Sequence, residues 1–329
     1  RSGGLKDVSS WKIRASVIYS VRAHHGALRS LAVFPDECTA FTGGVGPGFK
    51  GTVQKWDFSR INHVSGYHGH EEVVNDMCIL TPSRVASSDG TVHVWNSQTG
   101  KLISKFSESS SESSYLSSSH FPASKTHVDQ GNMLYSNSIS TGILTSTFDG
   151  TLYTCMHLLE FVEKLVIGTG NGSLRFIDIA QGQKLHLWHS DSSWTSYPSL
   201  ISSLCSCGSD KTHRDGTTAY PSWIAAGLSS GHCRLLDARS GNVFASWHAH
   251  DGYLTKLAAP EDHLLISSSL DKTLRIWDLR RGWPSQPIAV RGHKDGVSSF
   301  SVWGQDIISI SGNKIGLSSL TRNANEVCK

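Results

Sequence analysis

The chain has 329 residues with 30 basic and 27 acidic side chains, and its formal charge of +3 gives no reason to expect a nucleic acid or other polyanion as partner. The 31 glycines against 9 prolines suit a chain with many tight turns. The length suits two ordinary domains or one large all-β domain, whose core needs no disulfide staples. No apolar run reaches the roughly 18 residues of a membrane span, so direct membrane insertion is not expected. The chain opens on Arg1 with no apolar leader core, which reads as a piece of something longer. Seven scattered cysteines, an odd number without a CxxC pair, speak for a reducing compartment and against a structural zinc site.

In chain order, the first expected element is a strand over residues 12–22, where Ile13, Ala15, Val17, Tyr19 and Val21 alternate with mostly polar residues. It runs into Ala23-His24. A glycine-rich loop, Gly43 to Gly51, precedes Thr52-Val53-Gln54-Lys55-Trp56-Asp57. Gly69-His70 follows, and then Thr91-Val92-His93-Val94-Trp95-Asn96, which repeats the earlier hexad. Ser107–Ser119 holds nine serines in 13 residues; it is too polar to pack and reads as a loop over 107–131, open to phosphorylation. Ser140–Phe148 parallels Gln98–Phe106 and suggests a degenerate unit within 107–150. Further copies of the hexad are Ser173–Asp178, Cys233–Asp237 and Thr273-Leu274-Arg275-Ile276-Trp277-Asp278. A polar insertion occupies 207–221. Ala249-His250 and Gly292-His293 open the last two units, and three strands are expected after Val297. Short strands and turns at even spacing mark an all-β array of repeats.

These residues resemble WD40 repeats: a Gly-His (or Ala-His) opening at His24, His70, His250 and His293, and a Trp-Asp close at Trp56-Asp57 and Trp277-Asp278. The interval from His70 to His250 is 180 residues, or four repeats of 45, which makes seven repeats in all. The resemblance therefore implies a seven-bladed β-propeller, all-β, closed by residues 12–22 pairing with the C-terminal blade. A six-bladed ring with 107–150 as an insertion is the alternative. The resemblance also implies a buried polar set in each regular repeat. The sets are His70, Ser87, Asp89 and Trp95, and His250, Ser267, Asp271 and Trp277, because a buried imidazole and indole each need partners. His24 with Trp56, and His293, belong to the same scaffold class. Lys50 stands where the first repeat's turn Asp is expected, so that set is expected to be broken.

No enzyme is expected, and no cofactor. Gly227-Leu228-Ser229-Ser230-Gly231 spells a nucleophile elbow but reads as a hairpin turn between strands. The loop Gly43–Lys50 resembles a phosphate loop, yet Phe49 separates Gly48 from Lys50 and no helix follows. Gly168-Thr169-Gly170-Asn171-Gly172 reads as a turn. His68 with His70 and His248 with His250 could put two imidazoles on one strand face, without a third metal ligand. Arg280, Arg281 and Trp283 form a basic loop tipped by an aromatic, a candidate partner surface together with Arg239.

A finer resemblance is carried by Ala23-His24-His25-Gly26, Arg29-Ser30-Leu31, Pro35-Asp36-Glu37 and Val85–Trp95. These stretches look like the C-terminal propeller of BEACH-domain proteins of the kinase-like–BEACH–WD40 type, the plant GREEN FLUORESCENT SEED type in particular. That resemblance implies a cytoplasmic protein-interaction scaffold, peripheral on endosomal membranes. It would bind trafficking components in endosomal and vacuolar protein sorting, with a link to autophagy. The parent chain would carry adjacent BEACH and kinase-like regions. The rival reading rests on Trp277-Asp278-Leu279-Arg280, echoed by Asp237-Ala238-Arg239. It matches the WDxR motif by which substrate receptors of cullin–RING ubiquitin ligases hold their adaptor.

Overall fold

The computed structural model describes residues 24–26, 28–34, 39–57, 60, 62–108, 152–159, 163–189, 199–207, 222–281, 286–303, 306–312 and 314–319. They form six antiparallel sheets, each a meander of consecutive strands. Blade 1 is β1 (Leu28–Val33), β2 (Thr39–Val45), β3 (Gly51–Asp57) and β4 (Asn62–Tyr67). Blade 2 is β5 (Asp76–Thr81), β6 (Arg84–Ser88), β7 (Val92–Asn96) and β8 (Leu102–Phe106). Blade 3 is β9 (Tyr153–Leu159), β10 (Lys164–Thr169), β11 (Leu174–Asp178) and β12 (Gln183–Trp188). Blade 4 is β13 (Ile201–Ser206), β14 (Trp223–Leu228), β15 (His232–Asp237) and β16 (Val243–His248). Blade 5 is β17 (Leu254–Glu261), β18 (Leu264–Ser269), β19 (Thr273–Asp278) and β20 (Ala289–Gly292). Blade 6 has three strands, β21 (Val297–Trp303), β22 (Asp306–Ser311) and β23 (Lys314–Ser319).

The second strand of a blade is covered on both faces by its neighbours. β10 and β14 are accordingly runs of small and apolar residues buried along almost their whole length, Leu165–Thr169 and Trp223–Leu228. Small residues here let blades approach. A Cβ on Gly168 would meet Ile201 at 2.7 Å, and one on Gly227 would meet Leu254 at 2.3 Å, in each case the first strand of the next blade. Inner strands of successive blades contact one another in chain order but form separate sheets. Side chains bridge them instead. Met156 N–H donates to Asp76 Oδ2 at 2.7 Å, and Thr154 Oγ1–H to the Ile201 carbonyl at 2.6 Å. Leu257 N–H donates to Ser203 Oγ at 2.9 Å, and Thr255 Oγ1–H to the Val297 carbonyl at 2.8 Å. Each bond gives a buried backbone group a partner across the seam between blades.

The blade count corrects the seven-bladed expectation: the described residues make six. β9 seats directly on blade 2, where Tyr153 N–H donates to the Gly90 carbonyl at 3.0 Å. Ala86, Val94 and Phe106 share one buried cluster with Tyr153, Leu165 and Ile167. Among the described residues no further blade stands between blades 2 and 3. The closing strand over 12–22, most of the 107–131 loop with the degenerate unit after it, and the insertion over 207–221 beyond Cys207 lie outside the described residues. Five of the cysteines, Cys78, Cys155, Cys205, Cys207 and Cys233, are free thiols, and burial pushes those of Cys155, Cys205 and Cys233 well up.

Candidate functional site

The polar sets are built by strand register. Ser87 faces His93 and Val85 faces Trp95 across β6 and β7, so Ser87 and Trp95 share one side of the sheet. Trp95 Nε1–H donates to Ser87 Oγ at 2.9 Å, and that oxygen lies 2.6 Å from His70 Nε2. His70 Nδ1 is 3.1 Å from Asp89 Oδ2. Burial opposes ionisation of Asp89, but the bonds to His70 and Thr91 outweigh it and hold the carboxyl well below the usual range. Blade 5 repeats the arrangement. Trp277 Nε1–H donates to Ser267 Oγ at 2.8 Å, His250 Nε2 is 2.7 Å from the same oxygen, and His250 Nδ1 is 2.9 Å from Asp271 Oδ2. Burial pushes His250 down, against the pull of Asp271.

The first blade does not break the set; it rebuilds it from hydroxyls. Thr42 occupies the serine position, taking Trp56 Nε1–H at 2.8 Å and lying 3.0 Å from His24 Nε2. With no turn Asp, Thr52 Oγ1 reaches His24 Nδ1 at 3.1 Å. Blades 3 and 4 replace the polar set with apolar packing: Ile167 and Ala226 stand at the serine position, Ile177 and Leu236 at the indole position. In blade 6 the set loosens. Ser309 Oγ is 3.5 Å from His293 Nε2, and the register puts Ser318 where the indole belongs.

Blade 2 carries an addition the sequence reading missed. Tyr67, from the end of β4, lies flat on Trp95 and reaches His93 Nδ1 with its hydroxyl at 2.8 Å. His93 stacks on His70 with centroids 4.2 Å apart and planes 10° apart. Burial, then the neighbouring His70, pushes His93 down to about 4, and burial pushes Tyr67 up to about 12. His70, Asp89 and His93 bring their donor atoms within 4.8 Å of one another, close enough to raise a metal site. The stacking argues against it. A ring nitrogen's lone pair lies in the ring plane, and two nearly parallel planes do not meet at one ion. Three of the four ring nitrogens also already face Ser87, Tyr67 and Thr91. The signal that could have found His93 is its place two residues before Trp95 on one strand, hence on one face.

The motif readings resolve locally. Gly227–Gly231 joins β14 to β15 as a hairpin turn with Gly231 at φ 81°. Gly168–Gly172 likewise turns β10 into β11. The loop after β2 makes one 3-10 turn, Pro47–Phe49, and then enters β3, with no helix to bind phosphate. The histidine pairs do not share a strand face: β4 ends at Tyr67 and β16 at His248, and His70 and His250 are buried while His68 and His248 are exposed. Arg280 is held by its own strand, its Nε and Nη2 donating to Asp278 Oδ1 and Oδ2 at 3.0 and 2.8 Å. That pairing brings the Asp278 carboxyl down to about 2. Arg239 is exposed after β15, Arg281 ends a 3-10 turn over Leu279–Arg281, and Trp283 lies outside the described residues.

Residues 61–96 and 241–278, which hold the two complete polar sets' Trp strands, match the family "WD domain, G-beta repeat". These two stretches are WD repeats, set in the six-bladed β-propeller that the described residues form. This propeller is 59% identical over 327 residues to Protein GFS12 of Arabidopsis thaliana, across 99% of the chain and 20% of that protein. It is 27% identical to the probable inactive serine/threonine-protein kinase lvsG of Dictyostelium discoideum, across 95% of the chain and 12% of lvsG. It is 25% identical to human WD repeat-containing protein 81, across 73% of the chain and 10% of that protein. The propeller thus spans a fifth or less of these relatives. Among solved structures, the computationally designed Ika8 protein aligns with a TM-score of 0.57 and 16% identity, over 90% of this chain and 72% of Ika8, a likeness of fold alone. Among the described residues no helix is long and apolar enough to cross a membrane.

Proposed function

We propose that the propeller is a non-catalytic protein-interaction scaffold within a BEACH-type membrane-trafficking protein acting in endosomal and vacuolar protein sorting, with a role in autophagy. The observation that carries this reading is the identity to Protein GFS12, which runs through 99% of the chain rather than through the repeat motifs alone. The polar residues support the scaffold half of it. The histidines, serines and acids that could pass for a triad, His70 with Ser87 and Asp89 and His250 with Ser267 and Asp271, have their partners inside the blades. In this reading the protein works in the cytoplasm and at the endosomal surface, beside BEACH and kinase-like regions of the same chain. Removing the propeller from the full-length protein should missort a fluorescent vacuolar cargo, and restoring it should rescue sorting. Normal sorting without it ends the proposal.

We also propose that residues 12–22 add the fourth strand to blade 6, whose β23 is otherwise an edge. Deleting residues 1–22 should lower the melting temperature and promote association; an unchanged monomer with an unchanged melting temperature refutes it. The ubiquitin-ligase reading requires Arg280 to leave Asp278 for an adaptor. Replacing Arg280 and Arg239 by Ala and measuring adaptor pull-down decides that question.

A further inference from the structure

The connection between the second and third strands is five residues long in blade 1, against two to four in the other blades. It is not slack. Gly46 N–H donates to the Lys50 carbonyl at 2.7 Å and closes its neck. Within it Gly48 and Phe49 take φ of 67° and 61°. Glycine adopts that left-handed backbone freely; a phenylalanine there is strained, because its Cβ crowds the following carbonyl. Phe49 gains nothing from the fold in return, since it is 86% exposed. A strained residue holding a large apolar ring in water is a feature the fold does not explain.

Exposed residues of mixed character stand at the same end of the first blade and at the opening of the second. Lys50 is exposed beside the ring, and Leu28, 49% exposed, starts the inner strand of the same blade. The foot of the loop abuts the opening of blade 2, where a Cβ on Gly51 would lie 1.9 Å from the Glu72 carbonyl oxygen. Glu71 and Glu72 are exposed there, their backbone N–H groups both held by Asp89 Oδ2. We propose that Phe49 is the anchor of a protein-docking patch at this rim. Its partner is a folded protein with an apolar pocket for the ring, an acidic group opposite Lys50 and basic groups opposite Glu71 and Glu72. Two exposed acidic residues at the foot of the loop would repel anionic headgroups, which disfavours a membrane as the occupant. The proposal rests on the scaffold reading and places one contact of it.

The test separates anchor from scaffold. Phe49→Gly and Phe49→Asn both suit the left-handed backbone, so each should raise the melting temperature by about 1–3 °C while removing the ring. A photo-crosslinking phenylalanine analogue is placed at position 49 of the protein in its own cells, and at Lys272, Ser230 and Glu72 as further positions on the loops. The expected result is a discrete protein adduct from position 49, and co-purification of that same protein, measured without crosslinking, cut at least tenfold by both variants. Adducts from the other positions but not from 49, or undiminished co-purification with the variants, overturns the anchor and leaves the scaffold reading standing. Adducts from no position overturns both. A fall in melting temperature would make Phe49 a folding residue. Sedimentation with phosphatidylcholine–phosphatidylserine vesicles that the variants abolish would make it a lipid contact. Either result ends the proposal.

Discussion

Tyr67 of the first blade lies stacked on Trp95 of the second, with ring planes 3° apart and centroids 5.2 Å apart. The two residues fasten one seam between sheets. Phe41 meets Trp95 edge-on at 5.3 Å from the other direction, so the indole is enclosed by aromatic surface and is only 1% exposed. Tyr67→Phe keeps the stack but leaves buried His93 Nδ1 without its hydroxyl partner. It should cost about 1–2 kcal/mol. Trp95→Ala removes the stack and opens a cavity, and should cost about 3–5 kcal/mol. Chemical denaturation of the two variants checks the ranking; a Tyr67→Phe protein as stable as the wild type would show that the hydroxyl contact contributes nothing.

The shared serine is the pivot of each complete polar set. Ser267→Ala strands Trp277 Nε1 and His250 Nε2 together, both buried, and should cost about 2–3 kcal/mol; Ser87→Ala should behave alike. Ser309→Ala should cost less than about 0.5 kcal/mol, because its oxygen is 3.5 Å from His293 Nε2 and no indole depends on it. Thermal melts of the three alanine variants read the difference directly. Equal losses at positions 267 and 309 would mean that the hydroxyls do not act through these bonds.

The His70 and His250 sets were legible because their residue types are the repeat's own letters. His24 belongs to the scaffold as its repeat position implies, but its set is not broken at Lys50, because a hydroxyl can replace a carboxylate and Thr52 reaches His24 where the turn Asp is missing. The blade count failed by coincidence. The interval from His70 to His250 divides evenly by a repeat length, although the described residues between them hold fewer blades than that division implies. Tyr67 and Glu108 were invisible as site residues because each acts in the neighbouring blade, and contacts across a seam leave no periodic trace in one sequence.

Acid should loosen the propeller through its buried imidazoles. Burial lowers His157 to about 4, with its Nε2 2.9 Å from Ser206 Oγ, and His93 also lies near 4. In both, the native state favours the neutral ring. The resulting penalty is absent above the unfolded value of about 6.5, grows as pH falls, and is complete near pH 4. For His157 it is on the order of 3 kcal/mol. Asp76 runs the other way. Burial raises it to about 6, so its ionised form is disfavoured in the native state and its share of stability improves as pH falls from about 6 to 4. Two histidines against one acid predict a net fall in melting temperature from pH 7 to pH 4.5. His157→Asn should flatten that fall; an unaltered pH profile would exclude His157 as a source of it.

Glu108, at the end of the described stretch that follows β8, is committed to the next blade. Its carboxylate receives Nε–H and Nη2–H of Arg175, and the Tyr153 hydroxyl donates to it at 2.8 Å. The Arg175 side chain is 4% exposed and that of Glu108 10%. Burial opposes ionisation of Glu108, yet Arg175 and Tyr153 hold it below its ordinary range. Lys184 adds a bond to the Ser107 carbonyl at 3.0 Å, so Ser107 and Glu108 are fixed on blade 3 rather than trailing from blade 2. Glu108→Ala alone takes the carboxylate away from a buried guanidinium and should cost about 3–5 kcal/mol. Replacing both partners, Glu108→Leu with Arg175→Met, removes the charges together and should recover most of that loss. A double variant as unstable as the single one would show that Glu108 stabilises the seam by packing rather than by pairing, and limited proteolysis within the serine-rich segment should then be unaffected by either change.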